Sequence, residues 1–210
     1  AAPGARRCVV EHGSGTGALG SLLLDRGVAP LVLTEPDARL AAALRRAFAG
    51  NPRARVAEGT LEDFLARNGP ATADGVVSSN VLEHVVDDRA CLAAMAALLR
   101  PGGVLALYVP ARPELYGEFD RLVGHQRRYR RRELREKVEE AGFVISALKY
   151  RNLVGTAPWL LLGRFLKKRS VGKGSVWLHD RFIFPVSRFI EDRIAPPYGL
   201  NLLCLARKPG

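Results

Sequence analysis

The sequence has few of the features that mark secreted, membrane-spanning or metal-binding proteins. Only three of its 210 residues are cysteines, and Cys8, Cys91 and Cys204 lie in apolar segments without the spacing of metal ligands. We predict small core residues in a reducing compartment and no metal site. No apolar run reaches the roughly 20 residues that cross a bilayer, and the start of the chain lacks the pattern of a signal peptide. The composition therefore predicts a soluble, cytoplasmic protein.

The chain also lacks a linker. No Pro-, Gly- or Ser-rich stretch, internal repeat or low-complexity segment divides it. Its length is sufficient to bury one substantial core. We therefore predict a single domain over residues 1–210.

Acidic residues are scarce in the second half alone. Residues 1–110 contain 11 basic and 11 acidic side chains, whereas residues 111–210 contain 21 basic and 10 acidic ones, which accounts for the whole net charge of +11. Positive potential over one half of a protein favours acidic partners. Phosphorylated substrates, anionic lipid surfaces and nucleic acid are the candidate classes.

Short β-branched runs alternate with segments of helical period, which is typical of a parallel sheet with crossover helices. The predicted strands lie near residues 7–11, 31–35, 54–58, 74–79 and 103–109. Two apolar stripes between them predict helices that pack on the sheet. The stripes are Leu40, Leu44 and Phe48, and then Leu92, Met95, Leu98 and Leu99 behind the candidate capping residues Asp87 and Asp88. This alternation of strands and helices predicts a doubly wound α/β fold.

The pattern changes after Pro110. A loop rich in Arg and Tyr over residues 111–130 precedes a helix that contains Leu134 and Val138 and ends at Gly142. Strands are predicted at residues 143–150 and 202–206, and we expect them to pair antiparallel. Residues 151–200 form an insertion between these strands, and so long an excursion in a compact domain is usually functional.

The most informative segment is residues 9–17, where an apolar strand ends in Glu11 and continues into the alternating glycines Gly13, Gly15 and Gly17. Such a turn allows the backbone to approach a ligand, and the helix that follows directs free N–H groups at it. With Gly20 the segment also satisfies the dinucleotide fingerprint, and Glu35 stands where a ribose-binding carboxylate belongs. Glu11, however, would repel a pyrophosphate, whereas it suits an adenosine ligand with a sulfonium and an amino group.

With these residues the chain resembles the class I S-adenosylmethionine-dependent methyltransferases, whose first motif is an acidic residue followed by Gly-x-Gly-x-Gly. The resemblance continues in Asn80-Val-Leu-Glu-His84 after the fourth strand and in Leu98-Leu-Arg-Pro-Gly-Gly103 before the fifth. It covers residues 7–150 and the last strand, and is greatest to the small-molecule branch that includes quinone-biosynthesis O-methyltransferases. It implies a Rossmann-like, mostly parallel seven-stranded sheet with an antiparallel final hairpin strand.

The resemblance implies S-adenosylmethionine as the cofactor and S-adenosylhomocysteine as the product. The residues that it assigns to the methionine moiety are Glu11, Gly13, Gly15 and Gly17. Glu35 is assigned to the ribose hydroxyls, and Asn80 to the floor below the sulfonium. The adenine is assigned to Pro36, Gly59, Thr60, Leu61 and Glu62. Thr60 replaces an Asp that is common in the family, so adenine recognition falls to backbone groups or Glu62. The family generally has helices before the first strand. The resemblance therefore implies either a shortened chain or a pocket open on that side.

His84 and His125 are the candidate catalytic residues, because an acceptor that must lose a proton benefits from a base. His84 follows the fourth strand, where it alternatively supports the loop. His125 lies in the stretch Asp120-Arg-Leu-Val-Gly-His125-Gln-Arg-Arg-Tyr129, which resembles a motif of a bacterial subgroup of the family. We expect His12 to be structural or solvated.

Two further segments have a simple and a functional interpretation. Arg127, Arg128, Arg130, Arg131 and Arg132 are either a solvated helix start or an anion site. Residues 159–169 of the insertion combine an apolar stretch with a basic end. They are either part of a lid or an interfacial element that approaches anionic membrane or a lipid-linked substrate.

Together these features predict a methyltransferase that acts on a small molecule at oxygen, with acidic and lipid-linked acceptors as candidates. We do not expect a nucleic acid partner, because Ser78-Ser79-Asn80-Val81 stands where amino-directed DNA methyltransferases have Asp/Asn-Pro-Pro-Tyr. The alternatives are an RNA-directed methyltransferase, a non-catalytic cofactor-binding protein and a nicotinamide oxidoreductase. Glu11 and the segment from Asn80 to His84 argue against the last of these.

Overall fold

A computed structural model of the chain describes residues 8–153, 191 and 196–210. Its seven strands are β1 (Val9–His12), β2 (Leu31–Glu35), β3 (Ala54–Glu58), β4 (Ala73–Ser79), β5 (Leu99–Pro110), β6 (Val144–Arg151) and β7 (Asn201–Arg207). They form one sheet in the order β3-β2-β1-β4-β5-β7-β6. The first five strands run parallel, and β7 pairs antiparallel with both β5 and β6. The predicted fold class is therefore confirmed.

Six α-helices connect the strands in the described residues. They are α1 (Ala18–Asp25), α2 (Ala38–Ala47), α3 (Leu61–Asn68), α4 (Asp88–Leu98), α5 (Glu118–Leu122) and α6 (Arg131–Glu140), with short 3₁₀ turns at Leu82–His84 and Pro113–Leu115. The predicted bounds of β2 and β3 are correct. Strand β5 begins earlier than predicted because Leu99 pairs with Ala73 across a shift in register.

Side chains at the first turns explain where three helices begin. The Asp37 carboxylate accepts from the N–H groups of Arg39 and Leu40, and Asp87 accepts from Ala90. Thr60 and Asp63 form a reciprocal capping box at the start of α3. Of the two candidate caps of α4, only Asp87 acts as one, because the Asp88 side chain turns toward Lys137 and Tyr129.

The core lies between the sheet and its helices. The predicted stripe of α4 is confirmed, since Leu92, Met95 and Leu98 are fully buried. The predicted stripe of α2 is wrong at Leu40, which is 37% exposed. The buried face of α2 instead consists of Ala41 and Leu44.

Several sequence predictions fall outside the described residues. Residues 159–169 and most of the predicted insertion at 151–200 are among them. Among the described helices, none combines the length and the apolar character that a membrane crossing requires. Cys91 and Cys204 are buried as thiols and Cys8 is partly buried.

Candidate functional site

The carboxyl ends of the parallel strands bring the predicted cofactor residues to one edge of the sheet. His12 of β1 lies opposite Thr34 of β2 and Ser78 of β4. Glu35 in turn lies opposite Glu58 of β3. Residues that follow these strands therefore meet at the topological switch between β1 and β4, where open α/β sheets bind ligands.

The glycine loop between β1 and α1 has the shape that the sequence predicts. Gly13, Gly15 and Gly17 have φ angles of +69°, +54° and +83°, which favour glycine. The Ser14 N–H donates to the Thr34 carbonyl over 2.9 Å, and the Gly17 N–H donates to the Ser14 carbonyl over 2.8 Å. Helix α1 begins directly after Gly17, so its N-terminus faces the loop.

Two glycines also provide room for neighbouring side chains. A Cβ on Gly13 would lie 2.6 Å from Cγ2 of Val81, so the loop packs against the segment that follows β4. A Cβ on Gly20 would lie 2.4 Å from Cδ2 of Leu33 and 2.8 Å from Oε2 of Glu11. The third glycine of the fingerprint thus allows α1 to approach β1 and β2 closely.

Glu11 is a buried carboxylate with unused hydrogen-bonding capacity. Its side chain is at the end of β1, and the residue is 2% exposed. Among the described residues neither Glu11 Oε2 nor the buried Ser14 Oγ has a hydrogen-bond partner. Burial raises the pKa of Glu11 to about 7, the nearby Ser14 hydroxyl acts in the opposite direction, and the Glu35 carboxylate has a smaller raising effect. An ammonium group at this position would satisfy the orphaned oxygen, which fits the amino group of S-adenosylmethionine.

Glu35 connects the second strand to the glycine loop. Its Oε2 accepts from the Gly15 N–H over 2.8 Å, and its Oε1 accepts from the Asp37 N–H over 3.0 Å. Each carboxylate oxygen has two acceptor sites, so both retain capacity for a ligand hydroxyl. The backbone contacts hold the carboxylate beside the loop, where a ribose is expected.

The predicted adenine residues lie on the β3 side of this position. Pro36 is exposed immediately after β2, and the Gly59 N–H donates to the Glu35 carbonyl over 3.0 Å. The Thr60 hydroxyl is used in the cap of α3, and the Leu61 side chain is buried in the core. Glu62 is exposed, and its charge acts on the pKa of the buried His12. Glu62 thus adds an exposed carboxylate to this turn, and the same carboxylate helps burial to raise the pKa of the neighbouring Cys91 thiol.

His12 ends β1, and Asn80 directly follows the neighbouring strand β4. Asn80 follows β4 with a φ of +53°, and its N–H donates to the Tyr108 carbonyl over 2.8 Å. His12 is buried, its Nδ1 lies 3.1 Å from the Ser78 hydroxyl, and burial lowers its pKa to about 4. His12 is therefore neutral and buried, which excludes the solvated alternative and leaves the structural one.

The two candidate catalytic histidines are brought together. Their ring centroids lie 4.7 Å apart in an edge-to-face arrangement. His125 Nδ1 lies 2.8 Å from Asp120 Oδ1, and its Nε2 lies 3.7 Å from Glu83 Oε1. His84 is exposed, and its Nδ1 lies 3.3 Å from the Gly124 carbonyl. This histidine cluster faces solvent on the His84 side and buried carboxylates on the other.

Burial also shifts the acidity of this cluster. It raises the pKa of Glu83 to about 7, although the neighbouring His125 and Arg128 act in the opposite direction. Burial, together with the neighbouring His125, lowers the pKa of His84. Hydrogen bonds from His125 and Arg128 lower the pKa of Asp120 despite a larger opposing effect of burial. The hydrogen bonds around Asp120 thus favour its ionised form.

The basic cluster is not a uniformly solvated helix start. Arg128 is 5% exposed, and its Nε donates to Asp120 Oδ1 over 2.8 Å. Arg127 donates to the Val86 carbonyl and lies 2.9 Å from Asp88 Oδ2. The interpretation as a solvated helix start is therefore wrong for Arg128, whereas it agrees with the exposure of Arg130, Arg131 and Arg132.

Sequence reasoning did not assign several residues that shape the site. Glu83 and Asp120 stand inside motifs already recognised, but nothing in their spacing shows that both are fully buried beside His125. Ser14 and Thr34 are small polar residues whose importance depends on contacts across β1 and β2. Tertiary burial, which has no local pattern, is the signal that identifies them.

Comparisons with known proteins agree with this geometry. A family described as "Methyltransferase domain" matches residues 1–148. No curated protein matches the sequence.

Several solved structures are similar in fold. A candidate methyltransferase from Bacillus halodurans is 17% identical with a TM-score of 0.67, over 98% of this chain and 94% of the other. An S-adenosylmethionine-dependent methyltransferase from Mesorhizobium loti is 15% identical with a TM-score of 0.63, over 96% and 90%. A chain from the Haloferax volcanii complex of the Trm112 activator with its candidate methyltransferase is 17% identical with a TM-score of 0.67, over 98% and 84%.

Proposed function

The chain belongs to the methyltransferase domain family, and we propose that it methylates a small molecule at oxygen. S-adenosylmethionine is the methyl donor of this enzyme. Acceptor class, methylated atom and residue roles are our proposal. The observation that supports it is the contact between His84, in the turn after β4, and His125, in the loop after β5.

We assign the cofactor contacts from the orphaned and backbone groups at the sheet edge. Glu11 Oε2 would accept from the cofactor ammonium, and Glu35 from the ribose hydroxyls. The glycine loop would lie against the methionine chain, and Asn80 below the sulfonium. Of the predicted adenine residues, Glu62 and the backbone of Gly59 are the best placed, since the Thr60 hydroxyl and the Leu61 side chain are already used.

The acceptor would approach from the side of residues 111–130. This substrate-side loop contains His125 and the buried Asp120, and the Gln126 N–H donates to the Glu83 carbonyl over 2.8 Å. The loop is thus joined to the segment that follows β4, and Val81 of that segment contacts Gly13 of the cofactor loop. Cofactor and acceptor groups are therefore built on one continuous set of contacts.

The reaction needs alignment and loss of one proton. The sulfonium of the cofactor supplies an electrophilic methyl group when bound. Transfer of this methyl group to the acceptor oxygen would break the carbon–sulfur bond and release S-adenosylhomocysteine. The hydroxyl proton leaves toward a base, and the histidine cluster is the set of groups placed to promote this loss.

An RNA-directed activity is the weaker candidate. A phosphate track requires unpaired cations, but Arg127 and Lys137 bind Asp88, and Arg128 binds Asp120. These ion pairs neutralise part of the basic second half. The remaining charge favours small acidic acceptors, and phenolic acids of the kind methylated by quinone-biosynthesis enzymes belong to the first set to test.

The first experiment measures the cofactor. Thermal shifts are recorded with S-adenosylmethionine, S-adenosylhomocysteine, NAD and NADP. A ligand at about 100 times its dissociation constant adds about 2.7 kcal/mol, or about 5–10 °C for a domain of this size. We expect shifts with the two adenosyl compounds alone, and a shift with NAD or NADP alone would overturn the assignment of Glu11.

The second experiment measures transfer. Hydroxylated aromatic and aliphatic acids are incubated with the enzyme and methyl-labelled cofactor, and the product is located by mass spectrometry. We expect an O-methylated product whose turnover number falls in His84→Ala and His125→Ala. Methylated RNA, with binding that weakens steeply in salt, would contradict the small-molecule proposal. Cofactor binding without transfer to any acceptor would favour a non-catalytic protein.

A further inference from the structure

The histidine cluster, together with Glu83, has the composition of a metal site. One ligand atom each from Glu83, His84 and His125 lies within 4.8 Å of the others. We infer that these three side chains bind a divalent transition metal of the Zn²⁺ type. No sequence spacing predicts it, because His125 comes from the substrate-side loop and the other two from the 3₁₀ turn after β4.

Each imidazole has a hydrogen-bond acceptor beside its Nδ1. His84 Nδ1 lies 3.3 Å from the Gly124 carbonyl, which only accepts, so Nδ1 is the protonated nitrogen in that hydrogen bond. His125 Nδ1 lies 2.8 Å from Asp120 Oδ1 and donates to it in the same way. In the neutral rings both Nε2 atoms therefore have a free electron pair. A carboxylate or carbonyl behind each ring is the outer arrangement that orients histidine in metal sites.

Glu83 is the independent observation that indicates a ligand. It is fully buried, and among the described residues neither of its side-chain oxygens has a hydrogen-bond partner. An unpaired buried carboxylate is costly, and such groups are normally paired or bound to a metal. The nearest positive candidate is His125, whose Nε2 is 3.7 Å from Glu83 Oε1, too far for a hydrogen bond. A cation between these atoms would satisfy both.

The spacing of the ligands suits a small cation. Bonds of about 2.0–2.1 Å in a tetrahedral zinc site place the ligand atoms roughly 3.3 Å apart. The separation of 3.7 Å between Glu83 and His125 therefore needs a closure of only a few tenths of an ångström. The ligand atom of His84 lies within 4.8 Å of the other two, and this side chain is exposed, so its ring can rotate toward the ion.

The donor set also determines which metal is selected. Two imidazole nitrogens and one carboxylate suit Zn²⁺, Co²⁺ or Fe²⁺. Mg²⁺ and Ca²⁺ prefer oxygen ligands in larger numbers. Three protein ligands leave a tetrahedral metal with one open position, which is the pattern of a catalytic rather than a structural site.

The open position gives the site a role that rests on the proposed function. A hydroxyl oxygen bound to the cation would have a lowered pKa and would release its proton at neutral pH. In that case His84 and His125 hold the metal, and the acceptor proton passes to solvent. Metal binding itself requires neither cofactor nor acceptor.

The test measures metal binding directly. The chain, without a polyhistidine tag, is stripped with a chelator and titrated with Zn²⁺, Co²⁺ and Mg²⁺ by calorimetry, with bound metal counted by mass spectrometry. We expect one Zn²⁺ or Co²⁺ per chain, a visible spectrum typical of tetrahedral Co²⁺, and no comparable binding of Mg²⁺. Absence of stoichiometric Zn²⁺ and Co²⁺ binding would overturn the inference.

Three variants locate the site. His84→Ala changes an exposed residue, so it tests the inference even if Glu83→Gln fails to fold. We expect it to weaken Zn²⁺ binding by more than the roughly 10–100-fold that loss of an outer partner costs. The matched control is Glu114→Gln, an exposed carboxylate on the same loop that pairs with Arg112. Zn²⁺ affinity that is equal in wild type and His84→Ala would place the metal elsewhere and refute the inference.

A separate measurement distinguishes failure of the metal-site inference from failure of the proposed function. The thermal shift with S-adenosylhomocysteine reports on the cofactor site, and we expect it to be the same in His84→Ala as in the wild type. Loss of zinc binding with an intact shift supports the metal site, whatever the acceptor screen finds. An intact shift without zinc binding in the wild type would remove the metal and leave the methyltransferase proposal in place.

Discussion

Gly15 and Glu35 are joined by a hydrogen bond in which the Gly15 N–H donates to Glu35 Oε2 over 2.8 Å. This contact fixes the turn after β1 relative to the end of β2. Loop and carboxylate are thus arranged before any ligand binds. A site organised in advance loses less conformational freedom on binding.

Replacement of Glu35 tests this arrangement. In Glu35→Gln the carboxylate charge is lost, and a hydrogen bond to a charged group contributes about 1.5–3 kcal/mol. We therefore expect the affinity for S-adenosylhomocysteine, measured by calorimetry, to fall about 10–100-fold. The control is Glu58→Gln, which lies opposite Glu35 in the sheet and pairs with the exposed Arg45. Equal affinities in the two variants would refute the role of Glu35.

The burial of the Glu11 carboxylate is expected to lower the stability of the ligand-free protein, although the same group is proposed to bind the cofactor. Burial raises its pKa from 4.5 to about 7, so the folded state binds a proton more tightly than the unfolded state. For a carboxyl group with a raised pKa, its contribution to stability is complete below pH 4.5 and is lost as the pH rises to about 7. The rise in the pKa from 4.5 to about 7 corresponds to about 3 kcal/mol.

The variant Glu11→Gln removes this titration. We expect the ligand-free variant to be more stable than the wild type at pH 8 by about 1–3 kcal/mol, and this gain to vanish near pH 4. Its affinity for S-adenosylmethionine should nevertheless fall, because the partner of the ammonium is lost. Denaturant unfolding across this pH range and calorimetry are the measurements. A pH-independent difference in stability would show that Glu11 does not titrate as its burial indicates.

Gly13 and Gly27 separate the effect of backbone strain from that of close packing. Both have positive φ angles, +69° and +83°, but a Cβ on Gly13 would lie 2.6 Å from Val81, whereas a Cβ on Gly27 would meet nothing within 4 Å. We expect Gly27→Ala to cost about 1 kcal/mol of stability from strain alone. Gly13→Ala should cost about 1–3 kcal/mol more because of overpacking.

A double variant provides the internal check. Adding Val81→Ala to Gly13→Ala removes the two methyl groups in contact, so the excess cost should largely disappear and leave the strain term. Thermal unfolding of the four proteins gives this coupling directly. Additive effects of Gly13→Ala and Val81→Ala would mean that the glycine loop and the segment after β4 are not in contact.

The sheet and the residues at the ends of its first two strands were predictable from the sequence because their signals are local. Strands with flanking glycines, a carboxylate at the end of β1 and another at the end of β2 all follow from short patterns, and their placement is confirmed. The stripe of α2 was wrong at Leu40 because a helical period does not specify which face meets the sheet. The burial of Glu83 and Asp120 had no local signal, since it depends on how the substrate-side loop packs over the 3₁₀ turn.

Tyr129 attaches the substrate-side loop to the rest of the domain. It is fully buried, its hydroxyl lies 2.9 Å from Asp88 Oδ2 and 3.2 Å from the Leu82 carbonyl, and Asp88 also accepts from Lys137 over 2.6 Å. The hydroxyl therefore connects the loop to the start of α4 and to the turn that contains Glu83 and His84.

We expect Tyr129→Phe to lower the free energy of unfolding by about 1–3 kcal/mol, because Asp88 loses a donor in a buried position. The matched control is Tyr198→Phe, since Tyr198 is 46% exposed and keeps its ring beside Arg112 after the substitution. The measurement is denaturant unfolding of both variants, with amide hydrogen exchange in residues 111–130 as the local readout. The loss in Tyr129→Phe should be accompanied by faster exchange in this loop, because its attachment to α4 is weakened. Equal stability of the two variants, with unchanged exchange, would mean that the loop is held by the Asp120 and Arg128 ion pair rather than by Tyr129.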